Sequence, residues 1–361
     1  MMNYGMVWRS VVQIVAGLLL LGSAGSAALG ATATSCATIA QDLVASAAGG
    51  VVTTGPITCP ARIVINKAVL PGVTLDATGA AFPEGVTIAN SSGLHIEGGT
   101  YGTLEKDTRE RQAIQISGSS HVIISGAKLL GLPLTLGATG AWLTGDRGGI
   151  YARNSTWITV RDSECRRFRV CVTFYETTDS LAHNNKARES NSDGFNVVGS
   201  HRIVLSENDC RWYERANNVH PDCIQGWSLR TGPVMTQIWL VNNNAEGVMQ
   251  ANLFGNIGGG SVDGLFAFGN RAWVTFSHTI SCGGCANSVV KYNILASHPG
   301  VLFGIGKIKG FEGTGNVISD NPMVDGTKEP PPRIWWYGTI PLEVGSRFDT
   351  KPWRPGEAVS R

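Results

Sequence analysis

Three acidic residues share one local pattern. Asp193 lies in Asn-Ser-Asp-Gly-Phe-Asn-Val, Asp222 in His-Pro-Asp-Cys-Ile-Gln and Glu246 in Ala-Glu-Gly-Val-Met-Gln. Each stands two residues before an apolar residue: Phe195, Ile224 and Val248. Residues two apart in an extended chain face the same way. The three segments therefore align as successive strands with one carboxylate each at a common place. Neighbouring strands lie ~4.8 Å apart, and three like charges at that spacing need a shared proton, a cation or a basic side chain among them. The chemistry on offer is a general acid beside a base, or a calcium site. His220, two residues before Asp222, sits at the mouth of the same column, where a histidine suits proton transfer near neutral pH. The plainer reading makes each carboxylate a turn residue that accepts backbone N–H groups, and His220 a turn histidine bonded to backbone.

Such a column requires strands stacked in parallel, and the sequence carries a repeat of that kind. A polar or small pair, a short apolar-alternating run and an Asn-rich or small turn recur from Ser91, Ser119, Ser155, Thr178, Ser200, Thr236 and Ala286. A second short strand precedes most copies, at 112–117, 148–154, 170–175, 193–198 and 222–227. Recurrence at this period predicts a stacked β-solenoid. Ile114, Ile150, Val172, Phe195 and Ile224 should form an inward apolar column, with Gln115, Tyr151, Thr173, Asn196 and Gln225 facing out. Asn185, Asn208, Asn244 and Asn321 share a turn position, and stacked asparagines can bond up a ladder. The predicted fold is all-β: a right-handed single-stranded parallel β-helix over residues 34–325. An N-terminal cap built on the helical pattern Ala-Thr-Ile-Ala-Gln-Asp-Leu-Val-Ala should cover its first turn, and residues 326–361 should form an irregular Pro/Trp-rich tail. In that tail, Trp335, Trp336 and Tyr337 either stack on sugar or glue the tail to the body. Asn196, Gln225, Trp227 and Tyr175 are the candidate substrate-binding residues around the acids, with Lys309 further along.

The segments Asn191-Ser-Asp193-Gly194-Phe and Asp222-Cys223-Ile224 resemble motifs of the polygalacturonase group of glycoside hydrolases, within the pectin-lyase-like superfamily. Lys307-Ile308-Lys309 is similar to that group's Arg-Ile-Lys motif, and Pro221 stands where the group has the first Asp of an Asp-Asp pair. The resemblance implies cleavage of a glycosidic bond with inversion, the matching aspartates acting as acid and as activators of water. An inverting pair needs ~6.5–9.5 Å between carboxyls, which alternate rungs such as those of Asp193 and Glu246 would give at ~9.6 Å.

Composition narrows the class. Charged residues make up 16% of the 361 residues, Gly numbers 46 and the net charge is +2, so nothing favours nucleic acid or an anionic membrane as partner. Arg9, an apolar run and an Ala-rich exit read as a signal peptide over residues 1–33, hence a secreted or periplasmic protein free of the membrane after cleavage; an uncleaved anchor is the alternative. In an oxidising compartment some of Cys36/Cys59, Cys165/Cys171, Cys210/Cys223 and Cys282/Cys285 should be disulfides, with connectivity open, and the middle four equally suit simple filling of a solenoid core. The Cys282-Gly-Gly-Cys285 spacing lacks the second pair a zinc site needs.

The expected function is a monomeric carbohydrate-active enzyme that hydrolyses a polysaccharide through Asp193 and Asp222, helped by His220 and Glu246, without a cofactor. A calcium-assisted uronate lyase or epimerase is the second reading, with Lys186, Arg188, Arg211 or Arg215 neutralising substrate or acting as base. The third is a non-catalytic glycan-binding solenoid.

Overall fold

The chain advances by short strands that return, turn after turn, to the same three faces. The computed structural model describes residues 31–32, 35–102, 112–131, 135–136, 142–143, 148–190, 192–212, 221–229, 231–247, 250–255, 262–276, 278–299, 307–324, 329–338 and 340. Three parallel sheets carry the fold: sheet A with 12 strands, sheet B with 10 and sheet C with 10. A representative turn runs through Val170–Tyr175 in sheet C, Thr178–His183 in sheet A and Lys186–Arg188 in sheet B. The next runs through Asp193–Val198, His201–Ser206 and Asp209–Trp212. The strands that begin near Ser91, Ser119, Ser155, Thr178, Ser200 and Thr236 all fall in sheet A. Sheet A also contains Val262–Phe268, a copy the repeat reading passed over.

The inward column forms as predicted. Ile114, Ile150, Val172, Phe195 and Ile224 are in register along sheet C and all are buried. Each apolar residue packs on its equivalent one rung away, so a single continuous core runs along the solenoid.

Polar residues hold the corner between sheets A and B. The chain of side-chain acceptors runs Ser163, Asn185, Asn208, Asn243, Asn270, Asn293 and Asn321. Each asparagine Oδ1 accepts the backbone N–H of the ladder residue one rung earlier, and each Nδ2 donates to a carbonyl near the end of the sheet A strand that leads to that earlier residue. Asn208 Nδ2, for example, donates to Ala182 O at 2.9 Å. The ladder member of its rung is Asn243, and Asn244 was the wrong choice: Asn244 turns outward on sheet B. The residue before each ladder position takes a left-handed conformation, as at Asn184, Glu207 and Asn242, which bends the chain sharply enough to aim the side chain inward.

The two ends differ. Helix Ile39–Ala45 buries Ile39 and Leu43 over the first turns, and the Cys36–Cys59 disulfide ties it there, as the cap reading expected. At the other end the outer face of sheet A is apolar, with Leu181, Val204, Trp239, Val241 and Phe268 in one cluster. The tail covers it. Trp336 stacks on Phe268 at 4.6 Å, and its backbone exchanges hydrogen bonds with the Asn242 side chain at 2.9 and 3.0 Å. Trp336 is thus glue, whereas Trp335 and Tyr337 stay exposed. Residues 1–30 and 341–361, which include most of the signal-peptide pattern and the end of the tail, lie outside the described residues. Among the described residues no helix is long and apolar enough to cross a membrane.

Insertions concentrate at one corner. The connections from sheet B to sheet C include the longest in the chain: 103–113, 131–149, 213–221 and 298–306. The first residues of the sheet C strands therefore directly follow the longest connections.

Candidate active site

Asp193 and Asp222 open two adjacent strands of sheet C. Phe195 and Ile224 are in register, so the aspartates two residues earlier stand one above the other. Both are buried, Asp193 at 4% and Asp222 at 0% exposure. Asp193 Oδ1 accepts the backbone N–H of Asp222 at 3.2 Å, which couples the two rungs through the carboxylate itself. Each aspartate also accepts from an amide three residues on in its own strand. Asn196 Nδ2 donates to Asp193 Oδ2 and Gln225 Nε2 to Asp222 Oδ2, both at 3.2 Å.

The backbone around Asp193 is pinned from the rung before. The carbonyl of Arg169 accepts the N–H groups of Ser192 and Asp193 at 3.2 and 2.9 Å. Ser190 Oγ lies within hydrogen-bond distance of the carbonyls of Phe168 and Asp193, at 2.9 and 2.8 Å, and shares its one proton between them. Asp222 is followed directly by Cys223, whose disulfide to Cys210 anchors the strand start to sheet B. The Cys210/Cys223 pair is among those the sequence offers, whereas the support from Arg169 and Ser190 depends on which segments become neighbours between rungs and is not legible in the sequence.

Glu246 does not belong to this column. It lies in Asn244–Gly247 of sheet B, in register with Arg211 and Trp273. The sheet C position that follows Asp222 is Gln250. The misreading has a physical origin. An acid two residues before an apolar residue fits any strand, and only residues 248–249 separate this sheet B strand from the next sheet C strand, against 213–221 one turn earlier. The alternate-rung pair that suited inversion thus disappears. His220, Asn191 and Arg215 lie outside the described residues. Lys309 does occupy the outward column of Asn196 and Gln225, but three rungs beyond Gln225, ~14 Å along the sheet. Among the described residues no group of three His, Cys, Asp or Glu side chains converges as a metal site.

No protein-family model and no curated protein matches the sequence. Solved structures do match. The Dettilon tailspike protein superposes with a TM-score of 0.58 at 17% identity, over 77% of this chain and 56% of that one. This chain therefore spans little more than half of the tailspike's length. PfbA, a surface adhesin of Streptococcus pneumoniae, matches with a TM-score of 0.51 at 14% identity, over 78% of this chain and 84% of that one. The fold is a right-handed parallel β-helix of the pectin-lyase type. Endopolygalacturonase I from Stereum purpureum also matches, with a TM-score of 0.44 at 12% identity, over 81% of this chain and 100% of that one.

On the outer face of this β-helix, the rungs before the aspartates are aromatic. Tyr151 and Tyr175 lie tilted at 6.1 Å between ring centres, both half-buried, and the Arg153 guanidinium sits 5.2 Å over the Tyr175 ring. Tyr175 is in register with Val198 and, one rung further, Trp227. Tyr175, Asn196, Gln225 and Trp227 are thus brought to one face beside the acid pair. Asn196 Oδ1 is buried and accepts no hydrogen bond among the described residues.

The sheet B face next door is an ion network. Asp209 is bound by Arg188 at 2.7 Å and Arg211 at 3.1 Å, and by the Asn244 amide. Glu246 meets Arg271 at 3.0 Å and Arg211 at 3.9 Å. Arg188 and Arg211, two of the residues considered as lyase groups, are engaged with these carboxylates. Burial pushes the Asp209 carboxyl up, but the Asn244 hydrogen bond, Arg188 and Arg211 outweigh it and hold it below the usual carboxylate range. A lowered folded-state pKa stabilises fully above the unfolded value of about 3.9 and is lost as pH falls through the folded value. The denaturant midpoint should therefore drop as pH is taken below about 4, and Asp209→Asn should flatten that drop. An unchanged slope in the variant would contradict the network's role.

Proposed function

We propose that the protein is a secreted carbohydrate-active enzyme that hydrolyses glycosidic bonds of a polysaccharide, with Asp193 and Asp222 as its reacting pair. The observation that carries this reading is the pair itself: two buried carboxylates in register on adjacent rungs, each oriented by an amide of its own strand. A carboxyl of such a pair donates a proton to the glycosidic oxygen, while the other, ionised, stabilises the cationic transition state or attacks it as nucleophile, the role that adjacent rungs suit. Both carboxylates are buried, so productive binding requires them to become accessible to substrate. Secretion is supported by the signal-peptide pattern and by the three disulfides, which persist in oxidising compartments. His220, two residues before Asp222 in the chain, remains the proposed helper.

A glycan suits the surroundings. Tyr151 and Tyr175 offer ring faces for a sugar, and the Asn196 Oδ1 acceptor suits a sugar hydroxyl. Tyr175→Ala should raise KM roughly tenfold and leave kcat within about twofold, because stacking stabilises substrate and transition state alike. A fall in kcat at constant KM would instead put Tyr175 in the chemical step.

The deciding experiment is a screen of acidic and neutral polysaccharides, with and without a calcium chelator, that reads new reducing ends together with ultraviolet absorbance. Reducing ends without absorbance, lost in Asp222→Asn, are expected. Absorbance from a new double bond that chelator removes would replace the hydrolase with a calcium-assisted lyase. Binding without either product would make the solenoid a glycan-binding module.

A further inference from the structure

The cysteines of the middle rungs follow the register of the solenoid. In sheet B, Cys165 is in register with Ala187, and Ala187 with Cys210. In sheet C, Val172, Phe195 and Ile224 are in register, so Cys171, Gly194 and Cys223, one residue earlier, form a second column. Cys210 and Cys223 are joined across these columns. Two rungs earlier Cys165 and Cys171 occupy the same two positions as free thiols, both 2% exposed.

The surroundings repeat as well. A Cβ added to Gly194 would strike the Cys223 carbonyl and the Cys210 sulfur, and one added to Gly149 would strike the Cys171 carbonyl and the Cys165 sulfur. Each cysteine pair therefore has a glycine one rung before it that leaves room for the sulfurs. The same register, the same glycine and the same two sulfur positions thus recur at both sites.

We infer that Cys165 and Cys171 form a fourth disulfide, which closes the turn 166–170 as Cys210–Cys223 closes 211–222. The bond forms by thiol–disulfide exchange with a low-molecular-weight disulfide such as oxidised glutathione. One cysteine thiolate displaces a glutathione thiolate to give a mixed disulfide, and the second cysteine then displaces the other. The protein loses two electrons and two protons to glutathione, which leaves as two thiols. Burial holds the Cys165 thiol protonated in the closed fold, so exchange proceeds before this rung closes or when it opens.

The bracket has a target. Arg169, inside the closed turn, holds the N–H groups of Ser192 and Asp193, and Phe168 accepts from Ser190. The Cys165–Cys171 bond thus braces the support of Asp193, while Cys210–Cys223 braces Asp222. The bracing of Asp193 matters for activity only under the hydrolase reading; the bond itself does not depend on it.

The test is thiol alkylation of the full chain, equilibrated with oxidised glutathione, denatured without reduction and mapped by peptide mass. Cys165 and Cys171 are expected to resist the label and to be recovered as one linked peptide pair. Label on both, with Cys210 and Cys223 protected, would overturn the proposal. In Cys165→Ala, Cys171 should become labelled, and hydrogen exchange at the Ser192 and Asp193 amides should quicken at least tenfold while the Asn243 amide, held by Asn270 Oδ1, keeps its rate. Unchanged exchange at Asp193 would overturn the bracing. Neither readout uses a glycan, so failure of the hydrolase reading would be seen separately.

Discussion

Asp222→Asn is expected to lower hydrolysis of a responsive polysaccharide by about 10²–10⁴-fold, the usual share of a positioned acid or base, without loss of fold. The substitution keeps size and shape. Its oxygen can still accept from Gln225, so the strand start should remain in place. Asp193→Asn is the companion variant and should lose as much. Its oxygen can still take the Asp222 N–H, but its new NH₂ would face the Asn196 NH₂. Asn196 can answer by turning its amide over, since its Oδ1 accepts no hydrogen bond among the described residues. Both variants should therefore melt near the parent and bind glycan. Activity retained in either, measured as reducing ends at matched folded fraction, would remove that aspartate from the mechanism. Activity lost together with cooperative melting would return the pair to a structural role, as two carboxylates that merely satisfy strand starts.

The largest loss of stability should come from Asn208→Ala in the ladder. Asn208 is fully buried. Its Oδ1 accepts the Asn185 backbone N–H at 3.1 Å and the Asn185 Nδ2 at 3.0 Å, while its Nδ2 donates to Ala182 O at 2.9 Å. Truncation leaves an N–H and a carbonyl buried without partners, each costing about 1–3 kcal/mol, so a loss of about 3–5 kcal/mol is expected. Asn208→Ser should lose less, because a hydroxyl already does this work at Ser163, where Oγ accepts the Ala127 N–H at 3.1 Å. Because each rung contacts only its neighbours, the damage should be local. Hydrogen exchange at the Asn185 amide should lose most of its protection, while the early rungs keep theirs. A variant within about 1 kcal/mol of the parent would show that water replaces the ladder bonds and that packing alone holds the corner.

How much of this was legible follows from how each feature is encoded. The inward column of sheet C was legible because Ile114, Ile150, Val172, Phe195 and Ile224 belong to strands in which burial imposes a period of two. The Asp193 and Asp222 stack was legible for the same reason: each aspartate keeps a fixed offset from a column residue. Glu246 kept that offset too and still fell on another sheet, because offset is a local property and sheet membership depends on the length of the connection before it.

The run Asn242-Asn243-Asn244 marks the boundary most sharply. The sequence alone determined that a turn stood there and that asparagine would serve it. Chemistry alone cannot divide the work, since the three side chains are identical. In the folded chain Asn242 takes the left-handed bend and holds the tail at Trp336, Asn243 enters the ladder, and Asn244 faces out to Asp209 and Arg271. The same division holds for the molecule. Periodicity in the chain determined a parallel solenoid and the stack of two aspartates, because those follow from which way successive residues point. The support of Asp193 by Arg169, the ion network around Glu246 and the pairing of cysteines between columns were decided only in three dimensions, because each depends on which rung comes to lie beside which.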